Sequence, residues 1–496
     1  EQFATVEELK TFNTNDNDGT SSAAKVYFGK NSQKWWIAGS QGEKELTLFA
    51  ESPLATSQQF EQNWNQNKDY SEDWNCTYAG GNPSNVYPNH YGASPLRTTL
   101  EGLESSYFTS KEQDLMKNTT VYTNDTKNSS VYSTTNKLYL AYGDSDDDQY
   151  VTVGKNASDN LNNGLRIDKD YWGGSYFWLR APDLYYAHAA LVAVPGYSVG
   201  ISGVYNTNAL VPAFELNLSS VIFASAAPAA SSDRQLSEND AFTLRHQSQA
   251  DIGTATISQS KGSIAVTDVT NENTYLVVQN SNGAWAKKVS SNDLVFASDM
   301  DSSLTSFENC KIWLETTSDR ITYAEEATQG SGYNVKVNVG DNLTVTGGNI
   351  LQTNVSGNIT EITIKVNDGY YLPDDYISNL QGQLNNGLSV TQKDNGFTIS
   401  GTPTSDVNIT LPAATQKVYN MAVAGNGTFT TVCKDYQPIT ANEFTITNNG
   451  NVDLENVKVS LTGTNEDKFE LSENKVTTIQ PNGTTKVTVK PNNDLD

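Results

Sequence analysis

The sequence predicts a multidomain chain, with a mixed α+β domain at the N-terminus followed by three all-β modules of the sandwich kind. Three observations carry that prediction. The 496 residues are enough for roughly three or four domains. Six of the eight tryptophans precede a stretch of small residues, SSVIFASAAPAASSDRQ (219–235), that reads as a linker. After it, short apolar–polar alternations follow one another with almost no helical period. The expected boundaries are a domain at 1–218, a linker at 219–234, and modules at 235–330, 331–415 and 416–496.

In the first domain, AKVYFGKNSQKWWIAG (24–39) and KELTLFAE (44–51) alternate as strands, with Gly29, Asn31 and Gly42 in the turns. ASPLRTTLEGLESSYFTSKEQDLMKN (93–118) reads as two short helices. Ser94 caps the first, with Pro95 at its first helical position, and Ser110 with Gln113 is expected to form a capping box for the second. Leu96, Leu100 and Leu103 recur at helical spacing and are expected to face a core. KLYLAYG, QYVTVGK, FWLRAP and LVPAFELNL then return to strands. Beyond the linker, FTLRH, TATISQ, SIAVTDV, TYLVVQN and KIWLETT suggest one sandwich. A second module runs from YNVKVNVGDNLTVTGG to GFTISGTPTSDVNITLP. A third holds NEFTITNNGNVDLENVKVSLTG and TTKVTVKP. Asp368-Gly369, Asn449-Gly450 and Asn482-Gly483 are hairpin-turn pairs.

Charge and cysteine usage exclude whole classes of function. With 32 Lys and Arg against 57 Asp and Glu, the net charge is −25, which repels phosphate backbones, so no nucleic-acid partner is expected. Cys76, Cys310 and Cys433 lie far apart with no CxxC pair, which is neither a zinc framework nor a disulfide scaffold. Buried free thiols are expected, with one long-range disulfide as the alternative. No stretch approaches the roughly 20 apolar residues of a membrane span, so no transmembrane segment is expected. The polar opening EQFATVEELK suits a mature secreted chain or a trimmed piece.

Four stretches, NHYGASPLR (89–97), YFTSKEQDLM (107–116), YFWLRAPD (176–183) and ALVPAFELNL (209–218), together resemble an uncharacterised surface-protein family of Gram-positive anaerobes (Firmicutes). The resemblance covers about residues 12–218 in the same motif order. It implies a C-type-lectin-like fold for the N-terminal domain and an extracellular location, secreted or cell-wall attached. GYYLPDDY with ISGTPTSDVNITLP resembles the repeats of such proteins, and TNNGNVDLENVKVSLTG resembles an immunoglobulin-like module. The family carries no established activity. The Glu-Pro-Asn, Gln-Pro-Asp and Trp-Asn-Asp motifs of calcium-dependent sugar-binding lectins are absent from the sequence.

HExxH and phosphate-binding glycine loops are missing from the sequence. The expectation is therefore a non-enzymatic protein, with His90 read as a hydrogen-bonded structural histidine rather than a general base. Trp178, Arg180 and Arg97 are expected to be structural, because an arginine cannot be buried unpaired and must find a carboxylate or backbone carbonyls. In a strand, Phe177 and Leu179 would face one way, Trp178 and Arg180 the other.

Tyrosine offers rigid contact area with a hydrogen-bonding tip, and the segment after FWLRAP is rich in it. The candidate ligand contacts are Tyr185, Tyr186, Tyr197, Tyr205, Asn206 and Asn208, a region that the lectin-like resemblance makes a ligand-contacting loop. No cofactor is expected, with calcium as a weak alternative. NTNDNDGT (13–20) fails as an EF-hand, with Thr14 at the first position and Lys25 where a bidentate Glu is needed. The cluster Asp144, Asp146, Asp147 and Asp148 reads first as a solvated hairpin tip and second as a calcium site.

The functional expectation is adhesion or recognition: an N-terminal domain that binds an extracellular glycan or protein on a stalk of β-sandwich modules. The alternatives are a glycan-processing enzyme and a purely structural surface protein. At the other end, the last module is expected to lack its closing strand and to leave an open edge beside TKVTVK.

Overall fold

The computed structural model describes residues 2–12, 24–40, 42–143, 150–155, 166–168, 174–194, 198–433 and 436–493. It is mostly β, with 46% strand and 11% helix spread over many sheets. The chain divides into two compact units, Glu1–Ser331 and Gly332–Asp496.

The first unit corrects the expected linker. Val221–Ser225 is a strand, antiparallel to Phe3–Thr5 on one side and to Thr243–His246 on the other. It belongs to an eight-stranded sheet in the order Phe3–Thr5, Val221–Ser225, Thr243–His246, Ile321–Glu326, Lys311–Ser318, Tyr275–Asn280, Gly283–Lys288, Arg234–Leu236. The very first strand of the chain thus joins the sheet expected to begin at residue 235. The small residues mark close approach rather than freedom. Ala224, Ala226, Ala227 and Ala230 are buried, and their backbone meets a buried Arg245–Glu315 pair. The Arg245 guanidinium donates to the carbonyls of Ser225 (3.2 Å) and Ala227 (2.9 Å) and contacts Glu315 at 3.2 Å, while Glu315 accepts the Ala230 amide at 2.6 Å.

The remainder of this unit places two five-stranded sheets around one core. One runs Tyr139–Leu140, Pro212–Asn217, Glu45–Ala50, Lys34–Gly39, Lys25–Tyr27. The other runs Ser198–Gly203, Ala189–Val194, Phe177–Pro182, Thr207–Leu210, Ala55–Gln59. FWLRAP is the middle strand of the second sheet, and all six of its residues are buried, so the two faces read from the sequence are both interior. A single hydrophobic cluster runs from Trp35, Phe49 and Trp178 to Val221, Ala224, Phe242 and Leu244. That continuity is why no boundary falls at 219.

Helix Pro95–Tyr107 starts as expected, with Ser94 Oγ accepting the Arg97 amide. Leu96 and Leu100 are buried and Leu103 is partly so. The second helix, Ser110–Leu115, is capped one residue earlier than expected, by the Thr109/Glu112 box. Both pairs fit the box pattern, but the Glu112 carboxylate also accepts the Gly29 amide at 3.1 Å and pairs with Arg320 at 2.5 Å. Those tertiary partners select the register.

In the second unit, a three-stranded sheet (Leu351–Val355, Tyr333–Asn338, Val407–Thr410) and a four-stranded one (Leu343–Gly347, Ile362–Val366, Gly396–Gly401, Leu388–Lys393) enclose Val335, Val337, Ile364 and Phe397. GYYLPDDY leads into a helix, Tyr376–Gln383, that the sequence reading did not include. Its buried Tyr376 and Leu380 explain why it forms there. The last sheets are Met421–Gly425, Asn442–Asn448, Thr484–Pro491, Phe469–Leu471 and the pair Leu454–Lys458, Lys475–Ile479. On one side the strand containing TKVTVK pairs with Asn442–Asn448, and on the other Phe469–Leu471 reaches only Val489, Lys490 and Pro491, so the edge expected beside TKVTVK is covered only in part. Met421–Gly425 is an edge of the same sheet. No helix among the described residues is long and apolar enough to cross a membrane.

Candidate functional site

The tyrosine-rich segment begins in a turn built to hold side chains outward. Asp183, itself buried, accepts the amides of Tyr185 (2.8 Å) and Tyr186 (2.7 Å) on one carboxylate oxygen, an Asx arrangement that fixes the turn. From the other side, buried Asn89 donates its side-chain amide to the carbonyls of Tyr186 (3.2 Å) and Ala189 (3.0 Å). The loop backbone is therefore satisfied from below, and Tyr185 and Tyr186 stand 85% and 58% exposed.

Across the sheet, the next turn presents Tyr205. Gly203 allows this, since a Cβ there would meet the Tyr205 ring at 2.7 Å. Gln59 donates to the Tyr205 carbonyl at 2.7 Å, and the Glu61 amide donates to Val204 O at 3.0 Å. That second bond brings in the segment carrying Trp64. Buried Glu61 pairs with Lys68 at 2.6 Å and accepts the Asn63 amide at 2.9 Å, which sets the Trp64 loop.

The Trp64 ring lies 5.2 Å from Tyr205 and 5.8 Å from His188, and His188 lies 6.4 Å from Tyr186. Four aromatic rings thus form one continuous patch, with Trp64 43% and Tyr205 44% exposed and His188 exposed between them. Large side chains contiguous in solvent are uncommon on a monomer surface unless they bind something.

Of the sequence candidates, Tyr186 and Tyr205 are brought together and Tyr185 lies beside them in the chain. Asn206 and Asn208 both donate to Ser202 Oγ, at 3.2 and 3.3 Å, so they brace the turn. Tyr197 lies outside the described residues, as do Asp144, Asp146, Asp147, Asp148 and residues 13–20. Trp64 and His188 were missed. A lone tryptophan among Asn and Gln in NWNQN was the available signal for Trp64, since a core tryptophan seldom sits in so polar a run. Among the described residues, no group of three or more His, Cys, Asp or Glu could hold a metal ion.

Trp178, Arg180, Arg97 and His90 are buried and hydrogen-bonded. Trp178 is fully buried, donates Nε1 to Gln58 O at 2.7 Å and packs edge-on to Phe60. Arg180 is fully buried and donates to the carbonyls of Leu140 (2.8 Å), Gly154 (2.7 Å) and Tyr122 (3.3 Å). Arg97 donates to Asn136 Oδ1 (2.8 Å) and Gly92 O (3.3 Å) and contacts Glu101 at 3.2 Å.

His90 accepts the Ala93 amide on Nδ1 (3.1 Å), so its proton sits on Nε2 and is donated to Tyr78 Oη (2.7 Å). Tyr78 donates in turn to Asp125 (2.8 Å), and His90 stacks on Tyr132 at 3.9 Å. Burial lowers the His90 pKa to about 3. The three cysteines are free, but only Cys76 is buried, its thiol pushed by burial up to about 11; Cys433 is exposed, against the expectation of buried thiols.

A pH dependence follows. His246, also buried, is lowered to about 4. Below the unfolded histidine pKa of about 6.5, the unfolded chain takes up protons that the folded chain refuses, so stability is complete above that value and is lost as pH falls. The melting temperature of the chain is expected to drop between pH 6.5 and 4.5, and the drop should be shallower in His90→Gln. An identical slope in the variant would remove His90 from this account.

No protein-family model, curated protein or solved structure matches this chain.

Proposed function

We propose that the chain binds an extracellular carbohydrate, and that the Trp64–His188–Tyr205–Tyr186 patch is where it does so. The carrying observation is the exposure of these four adjoining rings, Tyr186 and His188 on a turn pinned by the buried Asp183 and Asn89, and Tyr205 and Trp64 on the neighbouring segments. Rigid aromatic faces suit the C–H faces of pyranose rings, and their tips and the imidazole can serve hydroxyl groups. A net charge of −25 disfavours polyanionic glycans, so the expected ligand is a neutral saccharide. The resemblance of NHYGASPLR, YFWLRAPD and ALVPAFELNL to surface-protein domains supports the same reading. It takes the part of the Glu1–Ser331 unit that carries these motifs as C-type-lectin-like and the later modules as immunoglobulin-like parts of a stalk, on a secreted or wall-attached bacterial protein.

The test is a glycan array and a host-protein panel probed with the full chain, followed by titration calorimetry on the best ligand. Trp64→Ala and Tyr205→Ala are each expected to weaken binding by tenfold or more, equivalent to about 1.4 kcal/mol, and Tyr186→Ala to weaken it as well. The melting temperature should hardly move, because truncating a buried aromatic would instead cost about 3–5 kcal/mol. Loss of stability in place of binding would assign these rings to the core. Protein-only hits would replace the sugar by a protein ligand. Release of shortened glycan would favour a glycan-processing enzyme, and a blank array a structural stalk.

A further inference from the structure

The edge strand Met421–Gly425 differs from the edges that proteins ordinarily tolerate. Among the described residues it pairs only inward, antiparallel to Asn442–Asn448, with Val423 opposite Ile446 and Met421 opposite Asn448. Directly opposed residues share a face, and Ile446 is in the small core with Val476, Ile479 and Val487. Met421 and Val423 therefore lie on the core face, yet they are 50% and 58% exposed, and Tyr419 before them is 65% exposed. The strand has no proline, charge or register shift to blunt its edge.

The parity of its backbone is fixed. Val418 O accepts the Asn451 amide at 3.0 Å and Asn420 O the Asn449 amide at 2.8 Å. Even-numbered residues thus hydrogen-bond inward, and the N–H and C=O groups of Met421, Val423 and Gly425 point outward.

Two features say what fits there. First, residues 420–426, Asn-Met-Ala-Val-Ala-Gly-Asn, read nearly alike in both directions about Val423. Antiparallel pairing with the same strand across a two-fold axis at Val423 sets Asn420 against Asn426, Ala422 against Ala424, and Val423 against itself. The bulky Met421 meets Gly425, which has no side chain to clash. Second, no carboxylate occurs between Asp406 and Asp435, although the chain holds 57 Asp and Glu. Two copies of a strongly acidic protein can approach along this stretch without like-charge repulsion.

We propose that Met421–Gly425 pairs with the same strand of a second copy, extending the four-stranded sheet across an isologous two-fold interface. The pairing satisfies the outward groups of residues 421, 423 and 425, lays Val423 of one copy against Val423 of the other and sets each Met421 opposite Gly425 of the second copy. A five-residue edge is far smaller than the ~800 Å² that a standard interface buries per partner. Association is therefore weak and reversible, in the micromolar range or weaker.

Sedimentation velocity on the full chain, from low micromolar to near-millimolar concentration, tests this. The expected result is a concentration-dependent dimer that Val423→Glu abolishes, by facing two carboxylates across the axis, and that Val423→Thr retains. Melting temperature should be unchanged in both. As a check that does not depend on a charged variant, Val423→Cys in a Cys433→Ser background should link through a short bismaleimide, while Ser405→Cys in the same background should not. A monomer at every concentration overturns the proposal. So does a dimer indifferent to Val423→Glu, or equal cross-linking at the two positions.

Discussion

Replacing Arg180 by Met is expected to destabilise the Glu1–Ser331 unit by about 3 kcal/mol or more, because several buried carbonyls lose their donor at once. Arg180 sits in the strand Phe177–Pro182, and its fork reaches the carbonyls of Tyr122, Leu140 and Gly154. Those carbonyls belong to three other segments, so one side chain satisfies backbone groups where four pieces of chain converge. An unsatisfied buried carbonyl costs about 1–3 kcal/mol, and methionine fills the volume without offering a donor. Burial lowers the Arg180 pKa, but guanidinium remains charged at any working pH. Arg180→Lys should rescue little, because a point ammonium cannot span carbonyls that the planar fork reaches. Urea unfolding of the three proteins decides it: a loss below about 1 kcal/mol for the methionine variant would mean that the network is not what holds this strand in place.

Glu315→Ala is expected to be comparably severe. Glu315 and Arg245 are both fully buried. The carboxylate also accepts the Trp313 indole at 2.6 Å and the Ala230 amide. Removing it leaves Arg245 as an uncompensated interior charge, a loss of about 3–5 kcal/mol. Because Arg245 binds the Ser225 and Ala227 carbonyls, the damage should spread to the strand Val221–Ser225 and through it to Phe3–Thr5. The wild-type unit is therefore expected to lose near-ultraviolet signal from its N-terminal tryptophans together with that of Trp285 and Trp313, in one transition. Calorimetry resolving two transitions that divide near residue 219 would restore a linker there and contradict the shared core.

The site was legible only in part. Tyr186 and Tyr205 could be singled out because tyrosine among Gly, Ser and Asn is a local pattern. Trp64 comes from a segment some 140 residues away, and its position beside Tyr205 depends on the pairing of Thr207–Leu210 with Ala55–Gln59, which no local pattern encodes. Likewise, His90 was recognisable as structural, but its partners Tyr78 and Asp125 were not.

By itself, the sequence determined the chain's β character, the strands whose alternation is local, the Ser94 cap with Pro95 after it, and the burial of Trp178 and Arg180. These follow from propensity, period and the cost of an unpaired charge, all of which act over a few residues. Tertiary structure alone decided three things. It settled that the alanine-rich stretch is packed against the fold, directly after the strand Val221–Ser225, because small side chains serve close packing as readily as flexibility and only the Arg245–Glu315 pair distinguishes the two. It chose the Thr109 cap over the Ser110 cap, through the Arg320 and Gly29 contacts of Glu112. It also left Met421–Gly425 as an edge strand, because strand order is a property of the assembled sheet rather than of any segment.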